Sequence, residues 1–171
     1  MIGAILGDII GSPYEFDRGN KSKEFPLFSR ESTYTDDTVM TLAVSLTFLD
    51  AQPSASDDWI LQNLANRMRQ FGKMYPNAGY GGMFRQWLRN PECKAYNSFG
   101  NGSAMRVSSV AWLYNDIDAV IHAARLQQKL PTIIWKESRV LKQPPVLFSW
   151  QGQDMARQKL RNIWNMNLVM N

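Results

Sequence analysis

The chain has 171 residues, 44% of them hydrophobic and 20% charged, which suits one globular domain with a real core. No apolar run reaches membrane-spanning length, and Met1 to Leu6 lacks the basic start of a signal peptide. A single cysteine, Cys93, excludes an internal disulfide framework and a cysteine-rich zinc site, so the expectation is a cytoplasmic protein with no membrane partner.

The net charge of +4 is unevenly placed. From residue 127 onward there are seven Lys or Arg against Glu137 and Asp154, which leaves residues 1–126 at −1. The basic residues of the tail are scattered and carry no nucleic-acid motif. No nucleic-acid partner is expected.

The first seventeen residues place Gly3, Gly7 and Gly11 on one helical face. Glycine costs about 1 kcal/mol in a helix, so the stripe predicts close approach of another backbone. Ile2, Ile5, Leu6, Ile9 and Ile10 cover the remaining surface, which predicts a buried helix. Asp8 inside it needs a partner; the expectation is a hydrogen bond tying loops together. Pro13 ends the helix, and Glu15 follows at its exit.

Residues 18–34 read as a polar loop leading into Thr35-Asp36-Asp37-Thr38. Two adjacent carboxylates stand at the mouth of the apolar run Val39–Leu49. They repel each other beside a core. Helix capping by Thr35 or Asp36, with Asp37 in the first turn, is one reading. A hard divalent cation held by oxygen ligands is the other. The helix that follows, 37–49, is apolar on most faces and should be central.

Ser56 caps the next helix, with Asp57 and Asp58 in its first turn and a core stripe of Trp59, Ile60, Leu64, Met68 and Phe71. Then comes a glycine-rich loop, Gly79-Tyr80-Gly81-Gly82-Met83, before a short helix with Phe84, Trp87 and Leu88. Backbone N–H groups at such a start can hold phosphate. A second small-residue loop, Ser98-Phe99-Gly100-Asn101-Gly102-Ser103, runs into a helix with Val107, Val110, Ala111 and Leu113 as apolar positions. Asn115-Asp116 caps another, with Ile117, Val120, Ile121 and Ala124 as its stripe. His122, the only histidine, falls off that stripe and reads as a surface residue. The whole pattern is helical, with the reactive residue types confined to loops at helix ends.

Four blocks stand in order: Gly7-Asp8-Ile9-Ile10-Gly11 with Glu15; Tyr34 to Thr38; Gly79 to Gly82; and Gly100-Asn101-Gly102-Ser103-Ala104-Met105-Arg106. Together they resemble the ADP-ribosylglycohydrolase family over residues 1 to about 126. The resemblance implies an all-α helical bundle, of which this chain holds the N-terminal part only. It also implies a hydrolase that uses two Mg²⁺ or Mn²⁺ ions to cleave ADP-ribose from a protein side chain or small acceptor. By the same resemblance Thr35, Asp36 and Asp37 are metal ligands, and Glu15, Asp36 and Asp37 form the catalytic set. Gly79, Tyr80, Gly81, Gly82 and Met83 border the diphosphate, and Ser98, Gly100 and Asn101 another wall of the cleft.

The family continues with a segment of the type Thr-His-Asn-His-Pro-Glu-Gly-Ile-Lys-Gly-Ala and, later, a second Asp-x-Asp-Thr ligand motif. Neither is present. After Leu126 the helical periodicity fades into Pro144-Pro145, three tryptophans and many glutamines. The genetic code accounts for this. Joining the third base of each codon to the first two of the next, Trp135-Lys136 must give Glu. The junctions around it allow Thr-Thr-His-Asn-His and then Met or Leu before that Glu, and Gly-Ile-Lys-Gly-Ala after it, which is the family segment apart from its proline. The expectation is a tail read out of frame from about residue 127, one base having been lost near the codon of Leu126. Such a chain would be impaired as a hydrolase; the alternative is a non-catalytic remnant that binds a cation or nucleotide weakly.

Overall fold

The computed structural model describes residues 2–16, 23–93, 96 and 101–130. The chain divides into Met1–Trp135 and Lys136–Asn171. The second unit lies outside the described residues, and so do Ser98 and Gly100 of the expected cleft wall.

The described residues are helical throughout, without a strand. In chain order the helices are α1 (Ile2–Gly11), α2 (Asp36–Asp50), α3 (Asp57–Met74), α4 (Gly82–Arg89), α5 (Gly102–Met105), α6 (Val110–Leu113) and α7 (Ile117–Gln128). Short 3₁₀ turns follow α1 at Ser12–Tyr14 and α5 at Val107–Ser109. None of the described helices is long and apolar enough to cross a membrane.

Helix α2 is the central element, as its sequence predicts. Val39, Met40, Ala43, Val44 and Phe48 are buried along it, and α1, α3, α5 and α6 all pack on it. Its polar positions inside the core are self-satisfied: Ser45 donates to the Thr41 carbonyl and Thr47 to that of Ala43. Helix α3 starts at Ser56, whose hydroxyl accepts from the Trp59 N–H. It buries Ile60, Leu64 and Met68, while Trp59 stays 40% exposed at the rim. Gly72 lets α4 close on α3: a Cβ there would sit 2.9 Å from Leu88 Cδ1. Arg69 seals the same seam, its guanidinium 4.2 Å above the Trp87 ring.

Three expectations are corrected. Helix α1 is not buried: none of its residues is fully covered, and Ile2 is 66% exposed. A Cβ at Gly3, Gly7 or Gly11 would meet nothing within 4 Å; the main packing partner of α1 among the later helices is α2. The helix expected after Arg106 is instead a 3₁₀ turn followed by the single turn α6, with the short α5 before Arg106; Arg106 turns inward to bond elsewhere, and Ala111 is exposed. In α7 Ala124 is buried and Val120 packs on the core as the expected stripe has it, but Ile117 is 44% exposed and the deepest positions are Ala123, Leu126 and Gln127. His122 is a surface residue, as expected, paired with Asp57 at 2.8 Å.

Candidate functional site

The site grows from the first turn of α2. Thr35 is the N-cap residue, in extended conformation, and its hydroxyl accepts from the Asp37 N–H at 3.3 Å. That is ordinary capping. What is added comes from α1. The Asp8 carboxylate accepts four hydrogen bonds from this one turn. Oδ1 takes the Thr35 hydroxyl at 2.6 Å. Oδ2 takes the Thr35 N–H at 2.8 Å, the Thr38 N–H at 3.2 Å and the Thr38 hydroxyl at 2.5 Å. A half-buried charge in an apolar helix is thus matched to free N–H groups and the positive end of another. The expectation that Asp8 ties loops together holds.

The exit of α1 is fastened to the same strand of chain. Ser12 Oγ accepts from the Thr33 N–H at 3.0 Å, and the Tyr14 hydroxyl donates to the Pro26 carbonyl at 3.2 Å. Glu15 caps that turn and remains exposed. Its charge nevertheless reaches the aspartates. Burial first, then the charge of Asp37, and then Glu15 and Asp8 push the Asp36 carboxyl up to about 6, against the pull of its own backbone N–H. Burial, Asp8 and Glu15 also raise Asp37. Four carboxylates therefore share one neighbourhood.

The glycine-rich loop lies against Asp36. Gly79 has φ +90°, the left-handed region that favours glycine, and a Cβ there would stand 3.9 Å from Asp36 Oδ1. Tyr80 is 3% exposed, yet its hydroxyl has no hydrogen-bond partner among the described residues. Burial, then the charges of Asp36 and Tyr34, push this phenol up to about 12. The Tyr80 carbonyl accepts from Arg85 Nη2 at 3.1 Å, which holds the loop to α4. Gly81 and Gly82 form the cap and first residue of α4 with open space where a side chain would be, and Met83 is 53% exposed.

Asn101 is exposed at the cap of α5 and makes no side-chain cap bond. The segment after it is anchored from two sides. Thr41 donates to the Met105 carbonyl at 3.4 Å, and Gln127 Nε2 donates to the Ser103 carbonyl at 2.9 Å. Arg106, 2% exposed, donates to Gln127 Oε1 at 2.8 Å, to the Gln127 carbonyl at 2.9 Å and to the Leu130 carbonyl. Burial lowers its guanidinium to about 10, the Tyr96 charge opposing the shift.

Thr35, Asp36, Asp37, Glu15, Gly79 and Tyr80 are thus gathered at one place, joined by Asp8, which the sequence reading had set outside the site. Its signal was a lone carboxylate in an apolar helix. All the donors at the start of α2 are oxygens, the kind a hard divalent cation takes. A hydroxyl has one hydrogen and two lone pairs, so Thr35, donating to Asp8 and accepting from Asp37, keeps one lone pair. The donor chemistry fits such a cation; the number falls short. Among the described residues no group of three or more His, Cys, Asp or Glu side chains is arranged to hold a metal ion.

An all-α fold that gathers carboxylates, a threonine pair and a glycine loop at one helix start defines an acidic, oxygen-rich site. The chain belongs to the ADP-ribosylglycohydrolase family, whose model matches residues 1–132. It is 27% identical to human ADP-ribosylhydrolase ARH3 over 95% of this chain and 52% of that protein. It is 30% identical to the mouse protein of that name over 76% of this chain and 42% of the relative. For the Xenopus tropicalis protein of that name the figures are 30%, 73% and 41%. The chain thus spans about half the length of the curated relatives it matches.

Proposed function

We propose that this chain carries one half of a metal-dependent ADP-ribosyl hydrolase site. The reaction is cleavage of the glycosidic bond between ADP-ribose and a protein side chain or small acceptor. The observation that carries this is the cluster of four carboxylates around the first turn of α2, where burial and mutual repulsion raise the carboxyls of Asp36 and Asp37. Membership of the family and the names of the ADP-ribosylhydrolase relatives supply the substrate class. Thr35, Asp36 and Asp37 would hold Mg²⁺ or Mn²⁺, which when bound polarises ribose oxygens and lowers the pKa of water. Glu15, exposed at the α1 exit, is the carboxylate free to orient an attacking water or accept its proton. Gly79 to Met83 would offer backbone N–H groups to the diphosphate, and Asn101 with Ser98 and Gly100 another wall.

A second reading is a non-catalytic remnant that binds a cation or nucleotide weakly. It is favoured by the shortfall of ligands among the described residues. The two readings meet in the tail. We propose that the residues from about 127 onward are translated out of frame.

Calorimetry with Mg²⁺ and then ADP-ribose tests this, on the chain as written and on a version with one base restored. Weak Mg²⁺ binding that Asp37→Asn abolishes, with ADP-ribose release only after restoration, supports the half-site. Equal tight binding by both versions overturns it. A gene whose shifted frame gives no family-like continuation ends the frame argument.

A further inference from the structure

We propose that Asp8 is a positioning residue for a divalent cation at the start of α2, acting through the hydroxyl of Thr35. This rests on the cation-site reading above and adds to it a residue that touches no ligand. The argument is one of proton bookkeeping. Asp8 Oδ1 takes the Thr35 hydroxyl hydrogen at 2.6 Å, and Oδ2 is crowded by three donors. With its hydrogen committed, Thr35 Oγ1 can only offer electron pairs elsewhere. One receives the Asp37 N–H; the other is left for a cation. A hydroxyl free to rotate would spend part of its time turning a hydrogen toward that cation.

The amide of Asn at this position separates the two roles. Its single oxygen goes to the side where three donors converge. Its NH₂ group then faces Thr35 Oγ1, which must accept rather than donate. The lone pair is spent and the hydroxyl hydrogen turns outward. Volume barely changes. Thr38 provides the contrast, since its hydroxyl makes the same bond to Asp8 but is 8% exposed within α2 and belongs to no proposed ligand set.

The experiment is a double-mutant cycle on the full chain. Mg²⁺ affinity is read by calorimetry, and metal-free melting is followed separately in chelator. Asp8→Asn should weaken Mg²⁺ about 10- to 100-fold, the usual range for residues that orient a ligand. In a Thr35→Val background the same change should cost nothing further. Thr38→Val should lower the metal-free melting temperature while leaving Mg²⁺ affinity within about twofold. Equal loss from Asp8→Asn in both backgrounds, or a loss from Thr38→Val as large as from Asp8→Asn, overturns the positioning role alone. A parent chain that binds no divalent cation overturns the cation-site reading and this inference with it.

Discussion

Two charged nodes sit in this molecule, and they are built in opposite ways. In one, Arg106 is 2% exposed and spends its donors on the side chain and carbonyl of Gln127 and the carbonyl of Leu130. It takes its acceptors from the C-terminal end of α7, where the helix carries partial negative charge. In the other, Asp36 and Asp37 are pressed together with Asp8 and Glu15, and burial and mutual repulsion raise both carboxyls. The first node is satisfied and can serve as structure. The second is held against its own electrostatics, and such local conflict in a folded protein concentrates where function is.

The largest effect should come from breaking the satisfied node. Arg106→Ala leaves a cavity, and strands the Gln127 side chain and two carbonyls without donors. The expected loss in denaturant unfolding is about 3–5 kcal/mol. Arg106→Met keeps most of the volume and should recover part of that. If Arg106→Ala costs less than Asp8→Ala, the contrast between the nodes is wrong.

Next is the tie that holds the acidic node in place. Asp8→Ala removes the acceptor of four half-buried hydrogen bonds from the start of α2. The expected cost is about 2–3 kcal/mol in urea unfolding, the sum of a lost cap and a stranded hydroxyl. Thr38→Val alone should cost about 1 kcal/mol.

The two nodes also differ in how far the sequence revealed them. Thr35 to Thr38 announced both a cap and an acidic pair, because capping is local and obeys short-range rules; α2 begins at Asp36 as those rules require. Asp8 showed only that it needed a partner. Which partner is a long-range fact, twenty-seven residues away in Thr35, and no local pattern encodes it. Arg106 was read as part of a loop-to-helix motif, yet it turns inward between the short α5 and a 3₁₀ turn. The glycines of α1 misled in the other direction. Their spacing speaks of a close neighbour, and none of the described residues comes near them. Periodicity tells which face is built for contact, not whether the contacting element is at hand.

A smaller effect, of opposite sign, should follow from relieving the strained node. Burial, and then the charge of Asp37, push the Asp36 carboxyl up to about 6 in the folded state, well above the ordinary aspartate value of about 4. Between about pH 4 and pH 6 the unfolded chain has released this proton while the folded chain keeps it. Stability therefore falls as pH rises through that window and levels off above it. Asp36→Asn should flatten the slope and raise stability at neutral pH by about 1 kcal/mol, after discounting for the solvent that reaches the group. Melting curves across that pH range check both. A variant less stable than the parent at pH 7 would mean that the carboxylate is already compensated.

The smallest effect probes whether the glycine loop belongs to the strained node or merely borders it. Tyr80 is buried beside Asp36, and its hydroxyl has no partner among the described residues. Losing a hydroxyl from a satisfied site costs about 1 kcal/mol, whereas losing an orphan removes a desolvation penalty. Tyr80→Phe should therefore be neutral or up to about 1 kcal/mol stabilising in ligand-free protein. The ring must stay, because it packs edge-on to Phe84 with centroids 5.7 Å apart. If the phenol is a donor kept in reserve for an oxygen-rich ligand, the same variant should bind ADP-ribose about 2- to 10-fold more weakly, the cost of one ordinary hydrogen bond. Stability gained and affinity lost in one substitution is the signature of a polar atom placed for something outside the fold. A stability loss in the ligand-free protein would return Tyr80 to the structural side of the comparison.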